Sequence, residues 1–262
     1  MKLKELIIPA RLEIGAFKVW KRNFLYFRKT ILVSLFWIVL EPLMYLGAFG
    51  YGLGAMVDSV EGKPFLEFFF PGLLATTAML VPFFEGTYAS FTKLTHQKLY
   101  TSIMLTPIGP DEIVYGELFW SAAKGLFGVL GVLLVSTFFG LIKSWMVFPA
   151  ILILFLISWI FSCLGMVVVS VARNYDSFIY ATSGFIVPMS LIAGTYFPVA
   201  QMPVLLKIIA YCLPLTHGVS LVRALLSENL NWTHGLSFVY LIVCAWLLMN
   251  VATTKIRKKL IF

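Results

Sequence analysis

The chain of 262 residues is 60% hydrophobic and only 12% charged, with a mean hydropathy of +0.93. Soluble domains carry about 25% charged residues, so a water-facing globular enzyme is excluded. The net charge of +8 sits in clusters beside apolar runs. There, lysine and arginine face lipid headgroups and set orientation rather than bind nucleic acid.

Residues 2–29 hold Lys2, Lys4, Arg11, Lys18, Lys21, Arg22, Arg28 and Lys29, interleaved with Leu12, Ile14, Phe17, Val19, Trp20, Phe24, Leu25 and Phe27. This mixture predicts an amphipathic helix lying in the cytoplasmic interface, a unit over residues 1–30 that precedes a transmembrane domain over 31–262. The apolar run that follows is too long for the core of a cleavable signal. Six apolar spans are expected, near 31–56, 67–91, 113–141, 146–171, 177–197 and 236–254, with longer connections at 92–112 and 198–235. The fold class is thus an all-α integral membrane protein.

With the N-terminus inside, the basic residues on the cytoplasmic side are the eight above plus Lys93, Lys98, Arg173, Lys255, Arg257, Lys258 and Lys259. Only Lys63, Lys143, Lys207 and Arg223 then fall outside, and Lys124 lies within a span. That imbalance places both termini in the cytoplasm. Within the connection 198–235, the stretch Pro203–Leu213 is strongly apolar but too short to cross. It suits a re-entrant hairpin dipping in from the outer face.

Glu41, Glu67, Glu85, Glu117 and Lys124 lie in or at the ends of apolar spans. A charge at the centre of a span costs about 2.5–3.5 kcal/mol on insertion scales, so partners or water are expected. At 1.5 Å per residue, Glu41 and Lys124 both fall roughly 15 Å from the inner ends of their helices, near mid-membrane. Their depth suggests an ion pair between spans one and three, with Glu117, on the same helix face as Lys124, as the rival partner. Such a group fixes packing, lines a path for a polar head group, or relays protons. Span one also carries a GxxxG at Gly50 and Gly54, and span three has Gly125, Gly128 and Gly131. Small residues at this spacing let helices approach closely, either at a dimer seam or within the chain.

Catalytic and ligating signals are weak. Cys163, Cys212 and Cys244 are far apart and apolar in context, and His96, His217 and His234 are scattered. The chain has no phosphate-binding loop and no metalloprotease or hydrolase motif. It is expected to bind no metal, and any ATP that drives it must be bound by another chain.

The stretch from Phe70 to Trp120 contains Pro71-Gly72-Leu73, Phe84-Glu85-Gly86-Thr87-Tyr88, Leu105-Thr106-Pro107 and Gly116-Glu117. A second stretch, Ser183–Leu226, ends a span in Tyr196-Phe197-Pro198 and continues into Leu213-Pro214-Leu215-Thr216-His217. Both resemble the ABC-2 type permeases of ATP-binding-cassette exporters, most closely the nodulation-factor permease branch. Where the family often has Arg or Gly-rich residues after span two, this chain has Thr95-His96-Gln97-Lys98. The resemblance implies a permease of the bacterial inner membrane working as two copies with two separate ATPase subunits, which hold ATP and Mg. It implies an amphiphilic substrate, a lipo-oligosaccharide, glycolipid or drug-like molecule, moved outward past membrane lipid. Residues 93–105 form a short amphipathic cytosolic lever followed by the breakers Pro107, Gly109 and Pro110. Lys93, His96, Lys98, Tyr100, Thr106 and Pro107 are its candidate contacts to an ATPase. The resemblance also implies a path at the two-fold axis, between spans one and five. Phe36, Trp37, Tyr45, Tyr180, Phe185 and Tyr196 are candidates to line it, with interfacial aromatic girdles as the alternative role. Two other classes remain open from sequence. One is an ion-coupled secondary transporter, which usually shows internal repeats. The other is a membrane-embedded lipid or glycan transferase using Glu85 or His217.

Overall fold

The computed structural model describes residues 14–57 and 59–261, so Lys2, Lys4, Arg11 and Leu12 of the expected N-terminal helix lie outside the described residues. Among the described residues there is no strand, only an isolated bridge between Val60 and Lys63. Among the described residues, five helices are long and apolar enough to cross a membrane: Ile31–Ala55, Phe65–His96, Pro110–Phe138, Val147–Val171 and Trp232–Ile261. The expected span at 177–197 is the shorter apolar helix Asp176–Ile192, roughly 25 Å long at 1.5 Å per residue. It stops early because Gly194, at φ +86°, turns the chain back.

The elements in order are α1 (Ile14–Lys29), α2 (Ile31–Gly47), α3 (Phe65–Phe84), α4 (Leu99–Met104), α5 (Pro110–Phe138) and α6 (Val147–Val171). They are followed by α7 (Asp176–Ala181), α8 (Val187–Ile192), α9 (Val204–Cys212), α10 (Pro214–Leu226) and α11 (Trp232–Ile261). Helix α5 begins at Pro110, whose missing N–H is no loss at the first helical position. Glu112 folds back to accept the Gly109 N–H at 2.7 Å. At its far end Gly140, at φ +65°, closes the helix.

Helices α3, α5 and α6 form the centre, and glycines set how closely they pack. A Cβ on Gly86 would meet Ser162 O at 3.0 Å, and one on Gly165 would meet Phe83 O at 3.0 Å. One on Gly125 would overlap Ser158 and Pro82. The Gly50/Gly54 pair makes no such helix–helix approach: Gly50 faces only the Leu66 side chain and Gly54 its own Phe49 carbonyl. The turns at these glycines are π-helical and 3-10, so the two do not lie one above the other on a regular α-helix.

Helix α1 has the expected amphipathic pattern, burying Gly15, Ala16, Val19, Asn23 and Phe27 on one stripe. That stripe faces protein. Gly15 donates its N–H to Glu112 Oε1 at 2.9 Å, Val19 and Ala16 fill the space beside Gly116, and Phe27 stacks on Phe127 at 5.6 Å. Thus α1 runs along the first half of α5 and does not lie flat with its whole apolar face in a headgroup layer.

The bundle has two distinct ends. At one, Arg257 meets Asp111 at 3.5 Å and Lys259 donates to the carbonyls of Val169 and Ala172. At the other, Lys143 pairs with Glu67 at 2.6 Å, and Lys63 donates to Ser227. The apolar stretch near 203–213 enters from this second end. Helices α9 and α10 bend by 86° at Leu213, and Gly218 abuts Ile157, ten residues along α6 and roughly 15 Å deep. The elbow is held by side chains. Pro214 brings no N–H of its own to the break. His217 Nε2 donates to the Tyr211 carbonyl at 2.9 Å, and the Tyr240 hydroxyl donates to the Cys212 carbonyl at 2.7 Å. Ser237 occupies His217 Nδ1 at 3.0 Å. Both ring nitrogens are therefore committed to structure, which argues against a catalytic His217.

Candidate functional site

Pro82 interrupts the hydrogen-bond ladder of α3, and the chain opens into π-helical turns at Glu85–Ala89 and Thr92–His96. Such bulges re-aim side chains and are frequent at functional sites. Here they accompany a row of alternating charges between α1, the extension of α3, and α5. Arg22 lies 3.8 Å from Glu117, Lys93 lies 2.7 Å from Glu117 and 3.8 Å from Glu85, and Lys124 lies 2.6 Å from Glu85. Trp120 adds an Nε1–H bond to Glu85 at 2.8 Å. Glu117, Trp120 and Lys124 recur every three to four residues on one face of α5, so a single helix face carries half the row. Glu117 is fully buried, and buried charges persist in a membrane only when paired in this way.

The expected Glu41–Lys124 pair does not form, and Glu117 does not take Lys124 either. Lys124 turns instead to Glu85, which the π turn offers on the α5 side at hydrogen-bond distance. Glu41 makes no ion pair among the described residues and lines a cavity of about 280 Å³ whose wall also includes Lys124, Ser34 and Thr77. A second cavity of about 470 Å³, lined by Arg22, Glu85, Lys93, Trp120, Lys124 and Ser34 among others, lies toward the terminal end. Ser34 and Lys124 belong to both walls. A polar track therefore runs beside α2 from the terminal end to mid-helix.

The connection between α3 and α5 is two pieces, not one continuous lever over 93–105. The π turn ends at His96, Lys98 takes a left-handed conformation at φ 47°, and α4 is only six residues long. This geometry divides the six candidate contacts. His96, Lys98, Thr106 and Pro107 are exposed on the connection. His96 stacks on Tyr175 at 5.4 Å, and Thr92 bonds the Tyr175 hydroxyl at 2.8 Å. Lys93 and Tyr100 face inward: Lys93 is held in the charge row, and Tyr100 is 1% exposed against Val19 and Ile113. Burial, with the Glu117 carboxylate nearby, pushes the Tyr100 hydroxyl well above its ordinary pKa. These two residues root the connection and do not present themselves to a partner.

Of the aromatic candidates, Phe36, Tyr180 and Phe185 are exposed on the bundle surface. Tyr45 and Tyr196 are packed into a stack with Phe49 and Phe69, with centroids 4.7–6.1 Å apart. The side chain of Trp37 lies outside the described residues. Sequence reasoning missed two members of the site, Arg22 and Trp120. Trp120 was within reach of it, four residues before Lys124 and therefore on the same face. Among the described residues no group of His, Cys, Asp and Glu has a metal-holding arrangement.

The chain matches the ABC-2 type transporter family over residues 16–227. It is 33% identical over 246 residues to Nodulation protein J of Rhizobium leguminosarum bv. viciae, covering 92% of this chain and 93% of the relative. It is 31% identical to Nodulation protein J of Rhizobium meliloti, over 92% of each. To the inner membrane transport permease YadH of Escherichia coli it is 22% identical, over 77% of this chain and 78% of that one. No solved structure matches it. A helical bundle with five long apolar helices among the described residues, a further pair bent at Leu213 and this breadth of similarity put the chain in the ABC-2 type transporter family, in its Nodulation protein J branch.

Proposed function

We propose that this permease is the membrane half of an ATP-driven exporter that moves an amphiphilic molecule, a lipo-oligosaccharide or related glycolipid, outward across the bacterial inner membrane. Two copies work with two separate ATPase chains that hold ATP and Mg. Both termini are cytoplasmic, on the count of basic residues, so the end with the charge row faces the ATPase. The observation that carries this reading is the exposed connection 95–107, which hangs between the two central helices and is rooted by Lys93 in the charge row. A push on His96 or Lys98 reaches Glu85 and Glu117 through Lys93, and one on Thr106 or Pro107 reaches Glu117 and Lys124 through the start of α5. The polar track beside α2 is then the entry for a head group, and Glu41 faces it as a carboxylate without an ion-pair partner among the described residues.

Nucleotide shifts the permease only as far as the ATPase prefers one state of it. The test is co-purification with the neighbouring ATPase, then ATP turnover in nanodiscs with native chain and with Lys98→Glu. A stable complex whose turnover falls several-fold on charge reversal is expected. A chain that purifies alone, or turnover indifferent to Lys98→Glu, overturns the reading.

A further inference from the structure

At the end opposite the charge row, a cavity of about 430 Å³ opens where four separate stretches meet: the loop before α3, the turn after α8, the α9–α10 pair and the turn into α11. Its size falls in the range of small-molecule sites, roughly 300–1,000 Å³, and the coupling scheme above makes no use of it.

The lining mixes donors and acceptors with no excess of either charge. Glu61, Glu67, Lys63 and Arg223 all contribute to it. Lys143 holds Glu67, and Lys63 reaches Ser227, while the Glu61 carboxylate has no hydrogen bond among the described residues. Arg223 has no carboxylate at ion-pair distance among the described residues. Its Nη2 donates to the carbonyls of Gly194 at 2.9 Å and Phe68 at 3.2 Å, and its guanidinium lies over the Phe68 ring at 3.9 Å. Among the described residues its Nε has no hydrogen-bond partner, and neither does the hydroxyl of Thr216, which is 4% exposed. His234 Nδ1 accepts the Asn231 N–H at 2.9 Å, which fixes the ring proton on Nε2 and makes that atom a donor. The Tyr211 ring is half-exposed at the rim.

An anion site needs an excess of donors, and the two carboxylates oppose one. An apolar ligand would leave these polar groups unmet. Hydroxyl groups, each donor and acceptor at once, satisfy both kinds of wall, and an aromatic ring at the rim gives the apolar face of a sugar a surface. We propose that this cavity binds a hydroxylated sugar unit on the side away from the ATPase. Its role as an exit-side dock for the head group of the exported amphiphile rests on the exporter reading, but sugar binding itself does not.

The experiment uses the full chain in nanodiscs without any ATPase, so the failure of either idea is read separately. Cellobiose and diacetylchitobiose are titrated by saturation-transfer NMR and calorimetry on the native chain, Glu61→Gln, His234→Ala and Tyr211→Ala. These residues are exposed or at the rim, and thermal unfolding checks that each variant is folded. Saturable binding is expected for the native chain, weakened roughly fivefold by each variant, the loss of about one hydrogen bond or ring contact. Inorganic sulfate should not compete. Absence of saturation, indifference to all three substitutions, or displacement by sulfate overturns the site. In a second arm, a glycolipid reconstituted in the same nanodisc should compete with the disaccharide. Failure to compete removes the exit-side role and leaves a site for a soluble glycan.

Discussion

Glu117 is wholly buried and meets Lys93 at 2.7 Å. Taking away its close cation leaves a carboxylate in a dry interior with only Arg22 at 3.8 Å, a change that costs about 3–5 kcal/mol in comparable pairs. Lys93→Ala is therefore expected to lower the unfolding temperature of the purified permease markedly. Lys93→Met combined with Glu117→Gln should recover most of the loss, because neither neutral group then needs a counter-charge. A double variant as unstable as the single one would show that the contact matters for shape and not for charge. The same arithmetic explains why depth alone misdirects the reading of Lys124. Position along a helix follows from counting residues, and Glu41 and Lys124 do lie at similar depth on that count. The partner is decided by rotation about the axis, which the π turn after Pro82 alters, and no residue type in Glu85–Ala89 announces a π turn.

At the scale of elements, five of the six expected spans were legible because a membrane helix needs about twenty apolar residues in a row, whereas the one expected at 177–197 ends at Ile192, two residues before the turn at Gly194. The break between α9 and α10 was legible for the converse reason: Pro203 and Pro214 bound an apolar stretch too short to cross. The connection 93–105 was only half legible. Its break lies at Lys98, a residue with no turn preference, in a left-handed conformation that costs non-glycine residues about 1–2 kcal/mol. Lys98→Gly therefore separates hinge from contact. It should keep or slightly raise the unfolding temperature, since glycine adopts that conformation freely, while lowering ATP turnover partway toward that of Lys98→Glu. Turnover equal to the native chain would make the turn, not the ammonium group, the working part. The cavity at the end opposite the charge row was invisible in sequence because its wall comes from four stretches between Glu61 and His234, none of which carries a motif by itself.

Across the whole molecule, burial is uneven. The windows of the spans Phe65–His96 and Pro110–Phe138 are 72% and 61% buried, whereas that of Ile31–Ala55 is 13% buried. An outer face as bare as that of α2, with Phe36, Met44 and Leu32 exposed, is where a second copy is expected to seat. In a cysteine-free background, Phe36→Cys should cross-link to its counterpart in native membranes, and a cysteine at Leu152 on the exposed face of α6 should not. The reverse pattern would move the seam to another face. The charge row has one more consequence, for the order in which the chain is made. Glu85 and Lys93 leave the ribosome before Glu117, Trp120 and Lys124, and Gly15 of α1 is made 97 residues before Glu112, whose carboxylate accepts its N–H. During synthesis Glu85 therefore has only Lys93, at 3.8 Å, until the third span brings Lys124 and Trp120 to hydrogen-bond distance. Nascent α3 and α5 have to leave the insertion machinery as a couple, with the N-terminal helix waiting at the surface until its berth exists.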